Sequence, residues 1–270
     1  MEQKRLRLEG KVAIVTGAGS SGPGIGTGKA TSTLFAREGA KVLLVDRVAR
    51  LAEETLATIR EEGGEASVFE ADVTRAEDCR AAVDAAVERY GSLHILMNNV
   101  GIVGPGGVVD VREEDWDRVL EVNLKSMMLT CKYTVPRMVE AGGGSIINVS
   151  SVAGIRAGSR GASVSYAASK GGVIALTTTM AVAHGRENIR VNCIAPGHLF
   201  TPIAAAGMNE ETRDLRRRAG PLGTEGTAWD IAWAALFLAS DEARWISGVV
   251  LPVDAGLLAA TPMAMRQHLL

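Results

Sequence analysis

The sequence predicts a single α/β domain, built on a doubly wound parallel sheet of about seven strands with helices on both faces. Three observations predict it. Short β-branched runs alternate along the chain with longer stretches of helical period. The runs are continuously apolar rather than alternating, which suits strands buried on both faces. A glycine-dense segment follows the first run directly, in a chain with 31 Gly and only 4% aromatic residues. The core must therefore be built mainly from Ala, Val, Leu and Ile, with tight backbone turning around it.

Residues 11–16 (KVAIVT) open the series as a strand, followed by the glycine-rich loop and a helix that ends at Gly39. Residues 41–46 (KVLLVD) form the second strand. A helix then ends at Gly63-Gly64, a strand covers 66–70, and a helix with Val83, Val87 and Tyr90 on one face stops at Gly91. Strands over 93–97 and 145–150 flank a long helical region around 119–139. A helix over 163–184 and strands over 189–194 and 249–253 complete the set. Such alternation implies right-handed crossovers between parallel strands. Segment 199–222 is the least regular, and it follows a strand on the side where open α/β sheets bind ligands, so it is expected as a lid. No linker divides the chain, so one domain is expected over 1–270, with its core over 8–256 and a tail over 257–270.

Composition excludes several function classes. The 270 residues carry 29 Lys+Arg against 31 Asp+Glu, a formal net charge of −2. Nucleic-acid surfaces and polybasic membrane patches need a clustered cationic excess, so neither partner is expected. No apolar run is long enough to span a bilayer, and the charged N-terminus does not read as a secretory signal. Cys79, Cys131 and Cys193 are too widely spaced for a metal or redox pair, so no metal is expected and a reducing, cytoplasmic location is.

Thr16 to Gly28 reads TGAGSSGPGIGTG, between a strand and a helix, and an acid, Asp46, ends the second strand. These are the requirements of a Rossmann-like dinucleotide site: glycines let backbone approach a pyrophosphate, a helix N-terminus offers it free N–H groups, and the acid accepts from ribose hydroxyls. A 2′-phosphate would be repelled by Asp46, and no Lys or Arg lies between Thr16 and Gly28, so NAD is favoured over NADP. Arg47 beside the acid is the one feature that would tolerate the phosphate. Gly28-Lys29 also mimics the end of a P-loop, but Pro23 stands where that motif needs Gly and Ala30 where it needs Ser or Thr.

Tyr166-Ala167-Ala168-Ser169-Lys170 places a tyrosine and a lysine on one helix face, and Ser150-Ser151 ends a strand just before. With Thr16 to Gly28, Asp46, Asp72-Val73, NNVG at Asn98, Asn123, INVSSVAG at Ile147 and PGHLFT at Pro196, the chain resembles the short-chain dehydrogenase/reductase family over nearly its whole length. The resemblance implies Ser151, Tyr166 and Lys170 as a catalytic triad, extended by Asn123 through a bound water. It implies cofactor contacts at Gly17, Gly26, Thr27, Gly28, Asp46, Arg47, Asp72, Val73, Asn99, Gly101, Pro196, Gly197, Leu199 and Thr201, with Lys170 on the nicotinamide ribose and Tyr166 beside it. A homo-oligomer, a tetramer by resemblance, follows as well. Physically, a free tyrosine with pKa about 10 is a poor base at neutral pH. A lysine charge at about 4 Å and effective dielectric about 20 would favour its phenolate by about 4 kcal/mol. Val103, Val152, Arg156 and His198 are expected to touch the substrate, a small alcohol or ketone.

Three departures stand out. Counting back from Asp46 aligns the family's third glycine with Gly28, so residues 18–25 hold a five-residue insertion, expected to enlarge the phosphate-side loop. Val100 replaces the usual alanine of NNAG. The stretch from Ser151 to Tyr166 is longer than usual, placing 156–163 as a loop near the substrate mouth. Arg216-Arg217-Arg218 reads as a solvated helix face, since consecutive residues cannot share one side. Two other functions compete. A methyltransferase using S-adenosylmethionine shares the glycine loop and acid but has no need of Ser151, Tyr166 and Lys170, and a non-catalytic dinucleotide-binding protein need not keep that relay.

Overall fold

The computed structural model describes residues 6–22, 24–157, 163–205 and 208–269. β1 (Val12–Thr16), β2 (Lys41–Asp46), β3 (Ala66–Glu70), β4 (Ile95–Asn98), β5 (Gly144–Val149), β6 (Ile189–Pro196) and β7 (Val250–Val253) lie in one parallel sheet in the order β3-β2-β1-β4-β5-β6-β7. The order reverses between β1 and β4, which pair Ala13 with Ile95 and Val15 with Met97. Connections leave these two strands in opposite directions and open a crevice beyond their C-terminal ends.

The apolar runs are buried on both faces, as their continuity implies. Ala13 and Val15 face one side, against Phe35 of α1 (Thr27–Arg37), Ile59 of α2 (Ala49–Glu61) and other buried residues of that layer. Val12 and Ile14 face the other side, with Val83 of α3 (Ala76–Tyr90). The expected long helix is three elements in succession: α4 (Glu113–Leu120), one π turn over Glu121–Lys125, and α5 (Ser126–Glu140). α6 (Val164–His184) starts where expected, with the Ser163 hydroxyl accepting from the Tyr166 N–H as N-cap.

The expected irregular stretch over 199–222 holds two helices, α7 (Pro202–Ala205) and α8 (Glu210–Ala219). α9 (Ala228–Ala239) packs beside α1 on the first face, and α10 (Arg266–Leu269) closes the chain. Strand limits differ from the expected ones by a residue or two; β6 runs on to Pro196 because it pairs with β7 through Val253. Among the described residues no helix is long and apolar enough to cross a membrane, and no group of three metal-ligating side chains is present.

One contact sets how closely α1 approaches the sheet. Gly17 takes φ +63°, and a Cβ on Gly28 would lie 1.9 Å from the Gly17 carbonyl oxygen. Only glycine at 28 lets the first turn of α1 sit directly beyond β1. Gly28→Ala is expected to destabilise the protein by about 1–3 kcal/mol, read as a fall in thermal midpoint. Gly185→Ala, at an open helical site with φ −61°, should stabilise by about 0.4–1 kcal/mol and serves as the control.

Candidate active site

A cavity of about 720 Å³ lies in the crevice at the β1–β4 reversal. Gly17, Gly26, Thr27, Gly28, Asp46, Arg47, Asp72, Val73, Asn99, Gly101, Val103 and Thr201 all line it. The cradle is close-packed: a Cβ on Gly28 would collide with the Gly17 carbonyl and one on Gly19 with Leu51, and Arg47 and Arg118 bring positive charge to the lining. Asn99 fixes the cradle. Its amide donates to the Thr16 and Gly17 carbonyls at 3.2 and 3.1 Å, and its Oδ1 accepts from the Thr27 hydroxyl at 2.5 Å. Asp46 accepts from the Gly19 and Val48 N–H groups, each at 3.0 Å, so its carboxylate is held at the rim by backbone alone. These residues fit a dinucleotide with its pyrophosphate at the start of α1 and a ribose at Asp46.

At the far end of this cavity Asp72 accepts from the Thr74 N–H and hydroxyl at 2.9 and 2.7 Å. Burial pushes Asp72 up, but those bonds and the charges of Arg118 and Arg47 outweigh it and hold the carboxyl below its usual range. It is a charged acceptor at neutral pH. Arg118 and Val122 also line the cavity and were missed in the sequence. They precede Asn123 on the same helical run, so the i, i+4 spacing that marks a helix face was the available signal.

Lys170 and Asn123 flank Gly101. Lys170 is only 3% exposed, and its Nζ donates to the Val149 carbonyl at 2.8 Å. A Cβ on Gly101 would lie 3.2 Å from that Nζ. Ser150 locks the turn below by donating its hydroxyl to the Lys170 carbonyl at 2.7 Å. Ser151, at the N-cap of a short turn over Val152–Gly154, accepts from the Ala153 N–H and hydrogen-bonds with Tyr166. Asn123, on the π turn, is fully buried: its Oδ1 accepts from Ile102 N–H, and its amide donates to the Ile102 carbonyl and to the Ser169 hydroxyl. π turns often mark functional positions because they redirect one side chain out of helical register.

The electrostatics correct the simple attraction expected from sequence. The Lys170 Nζ lies 5.7 Å from the centre of the Tyr166 ring, yet burial pushes the Tyr166 phenol above its ordinary value, with only the Ser151 hydrogen bond opposing. Burial also pushes Lys170 down to about 8. Taking both groups out of water disfavours the phenolate and the ammonium alike, and the sequence argument counted only their mutual attraction.

Other expected contacts fall elsewhere. His198 faces a separate cavity of about 190 Å³ with Leu199 and Arg216, and its Nδ1 lies 3.3 Å from the Arg216 carbonyl. His198 lines this second cavity and not the one that holds the glycine cradle. Pro196 ends β6, and Gly197 donates to the Val253 carbonyl, anchoring that segment from below. Arg156 donates to the Ala260 carbonyl at 3.1 Å rather than pointing to the cavity. Val152 begins the turn after Ser151. Within the glycine-rich loop the Ser20 hydroxyl donates to the Gly24 carbonyl at 3.1 Å, and Gly22 abuts Pro202 of α7. Pro23 and residues 158–162 of the expected mouth loop lie outside the described residues. Arg217 and Arg218 pair with Asp214, whereas Arg216 turns inward to the Leu199 carbonyl, so the expected solvated face holds for two of the three.

Comparison with known proteins agrees with this construction. Residues 22–258 match the family model described as enoyl-(acyl carrier protein) reductase. The chain is 40% identical over 257 residues to the 3-oxoacyl-[acyl-carrier-protein] reductase FabG of Thermotoga maritima, covering 94% of this chain and 100% of that protein. It is 36% identical over 249 residues to the cyclohexanol dehydrogenase of an Acinetobacter species, covering 92% and 95% respectively. The crystal structure of levodione reductase superposes with a TM-score of 0.89 at 34% identity, over 94% of this chain and 100% of that one. The chain belongs to the short-chain dehydrogenase/reductase family. It is an oxidoreductase that uses a nicotinamide dinucleotide.

The depressed Lys170 value makes a linkage test available. An unfolded lysine titrates near 10.4, so the burial cost is fully present below about 8 and is relieved as pH rises toward the unfolded value. Lys170→Met is expected to be more stable than the parent near pH 7, and its advantage should shrink by about pH 10. Denaturant unfolding of both proteins at the two pH values checks it.

Proposed function

We propose that this chain is an NAD-dependent oxidoreductase that interconverts a secondary alcohol and a ketone through a Ser151/Tyr166/Lys170 relay positioned with Asn123. The observation that carries the reading is that the Lys170 Nζ and the Asn123 Oδ1 flank Gly101, which lines the same cavity as the glycine cradle and Asp46, while Tyr166 and Ser151 sit together beside Lys170. A bound nicotinamide supplies the hydride acceptor in oxidation and the hydride donor in reduction. In oxidation Ser151 holds the substrate oxygen while the Tyr166 phenolate takes the alcohol proton and becomes the phenol; in reduction the Tyr166 phenol gives its proton to the carbonyl oxygen and becomes the phenolate. Lys170, buried and bonded to Val149, keeps a positive charge below the phenol and reaches ribose hydroxyls from the same position. Asp46 supports NAD over NADP, because its carboxylate lines the cavity and would repel a 2′-phosphate, and among the described residues only Arg47 and Arg118 bring positive charge to the cavity lining.

A methyltransferase would leave the buried Lys170 and the Ser151–Tyr166 pair without a use, and a non-catalytic binder would leave Lys170 as an uncompensated cost of burial. The partner is accordingly a small-molecule alcohol or ketone. Trp245 and Trp233, exposed at 92% and 53%, support a homo-oligomer, with a tetramer as the family suggests. The three buried free cysteines suit a reducing cytoplasm.

Tyr166→Phe is expected to bind NADH with unchanged affinity in a fluorescence titration and to lose turnover by about 10²–10⁴-fold. Near-normal turnover would remove Tyr166 from the chemistry. In the same titration the parent protein should bind NADH more tightly than NADPH, and stabilisation by S-adenosylmethionine instead would overturn the assignment.

A further inference from the structure

Four buried polar side chains form one series of hydrogen bonds from α5 through β4 and β5 to α6. The Thr130 hydroxyl of α5 has three acceptors within reach, and the Asn98 Oδ1 is the nearest at 2.7 Å. The Asn98 amide donates to the Asn148 Oδ1 at 2.9 Å, between two residues paired across β4 and β5. The Asn148 amide then donates to the Thr177 Oγ1 of α6 at 3.0 Å, and the Thr177 hydroxyl donates onward to the Val173 carbonyl at 2.8 Å. Every donor points the same way, and no member is more than 5% exposed. Bonds in such a series polarise one another, so the series is stronger than its links taken singly.

Its members adjoin the groups that the relay and the cradle use. Asn98 directly precedes Asn99, the brace of the glycine cradle. Asn148 directly precedes Val149, whose carbonyl takes the Lys170 Nζ, and Ser150, whose hydroxyl holds the Lys170 carbonyl. Consecutive residues at the end of β5 are thus each bonded to α6, once at Thr177 and twice at Lys170. Thr177 follows Lys170 by two helical turns on one face, about 10 Å along the axis. Two fixed points on one helix set its angle to β5 as well as its position, whereas the bonds at Lys170 alone would let it pivot there. Cys193, opposite Asn148 on β6, adds a thiol within hydrogen-bonding reach of Ser150 and Thr177.

We propose that Asn148 and Thr177, continued by Asn98 and Thr130, are positioning residues that set the Lys170 ammonium against the Val149 carbonyl and tie that setting to the strand bearing the cofactor brace. This deepens the oxidoreductase reading and rests on it for the role of Lys170. Apolar side chains would fill the same space without the cost of burying four polar groups, and what they would lack is direction. Removing one link costs more than that bond, because a buried amide is left without its partner. The helix then settles on β5 by packing alone, and the Nζ to carbonyl bond lengthens. A weaker bond to the charged form disfavours it, so Lys170 is expected to titrate lower still. The titratable groups facing Lys170 are Tyr166 on its own helix and Cys193 on β6, and substitution at residue 177 leaves both in place.

The test follows the Lys170 Nζ resonance through a pH titration by nitrogen-15 NMR of lysine-labelled protein, the resonance being identified by its loss in Lys170→Met. Thr177→Val, nearly isosteric but without the hydroxyl, is expected to lower the Lys170 midpoint by at least about half a pH unit, and Thr177→Ser to restore it. Thr130→Val, at the far end of the series, should shift it the same way by less. Thr134→Val makes the same exchange at a buried α5 hydroxyl that has no partner among the described residues, and should leave the midpoint unchanged. A structural role alone would lower the thermal midpoint of Thr177→Val and leave Lys170 where it is. That result, an upward shift, or an equal shift in Thr134→Val overturns the inference. The parent protein gives a check that needs no variant: the Asn148 side-chain amide should exchange with solvent at least about a hundredfold more slowly than that of the exposed Asn209, and equal rates overturn the inference too. Turnover of cyclohexanol with NAD⁺ is expected to fall by about tenfold or more in Thr177→Val and to recover in Thr177→Ser. A parent that binds NADH yet converts no alcohol or ketone overturns the oxidoreductase reading, while the Lys170 titration still decides the positioning role.

Discussion

A lysine ammonium held out of water is the constraint around which this site is built. The Lys170 Nζ donates to the Val149 carbonyl at the end of β5, and burial has already pulled it down to about 8. Such a group is costly to keep, so the surrounding chain must bring acceptors and exclude bulk at the same time. Gly101 does the second by offering no Cβ beside Nζ, and Ser150 does the first indirectly, tying the helix backbone at residue 170 to the strand end. The turn over Val152–Gly154 then packs on the same backbone. The end of β5, the turn after it and α6 are in this way held together around residue 170, which brings Ser151 and Tyr166 beside each other.

The cofactor side solves the opposite electrostatic problem. A pyrophosphate must be neutralised where the loop from 17 to 28 brings no cationic side chain. The Gly17–Gly28 approach places the first turn of α1 against the strand end, and Asn99 with Thr16 and Thr27 holds the three chain segments there by side-chain bonds. The loop between Gly17 and Gly28 leaves this arrangement intact, because Ser20 closes it upon itself and Gly22 lies toward Pro202. Asn99 is therefore a structural brace of the cradle whatever it contacts in a bound dinucleotide.

Much of this was legible in the sequence because its signals are local. Continuously apolar strands, Gly28 placed by counting back from Asp46, and the Tyr166–Lys170 spacing each encode a backbone geometry within a few residues. What escaped was set by tertiary context. α9 is apolar on nearly every side and carries no helical stripe to read, being packed beside α1 on the sheet. The π turn at Asn123 arises inside a continuous helical pattern and leaves no compositional mark. His198 lies three residues from Thr201, yet a turn sends it into another cavity. The Tyr166 environment was misjudged for the same reason, since desolvation depends on everything packed around a side chain and not on its nearest charge.

The central claim is that the buried lysine acts on the tyrosine once the cofactor's own positive charge and hydroxyls complete the site. Ultraviolet titration of the Tyr166 phenol, taken as the difference between the parent and Tyr166→Phe, tests it directly with and without NAD⁺. The account predicts a phenol above its ordinary value in the free protein, falling by more than about one pH unit when NAD⁺ binds, and a fall that disappears in Lys170→Met. An identical titration with and without NAD⁺, or an undiminished fall in Lys170→Met, would contradict it.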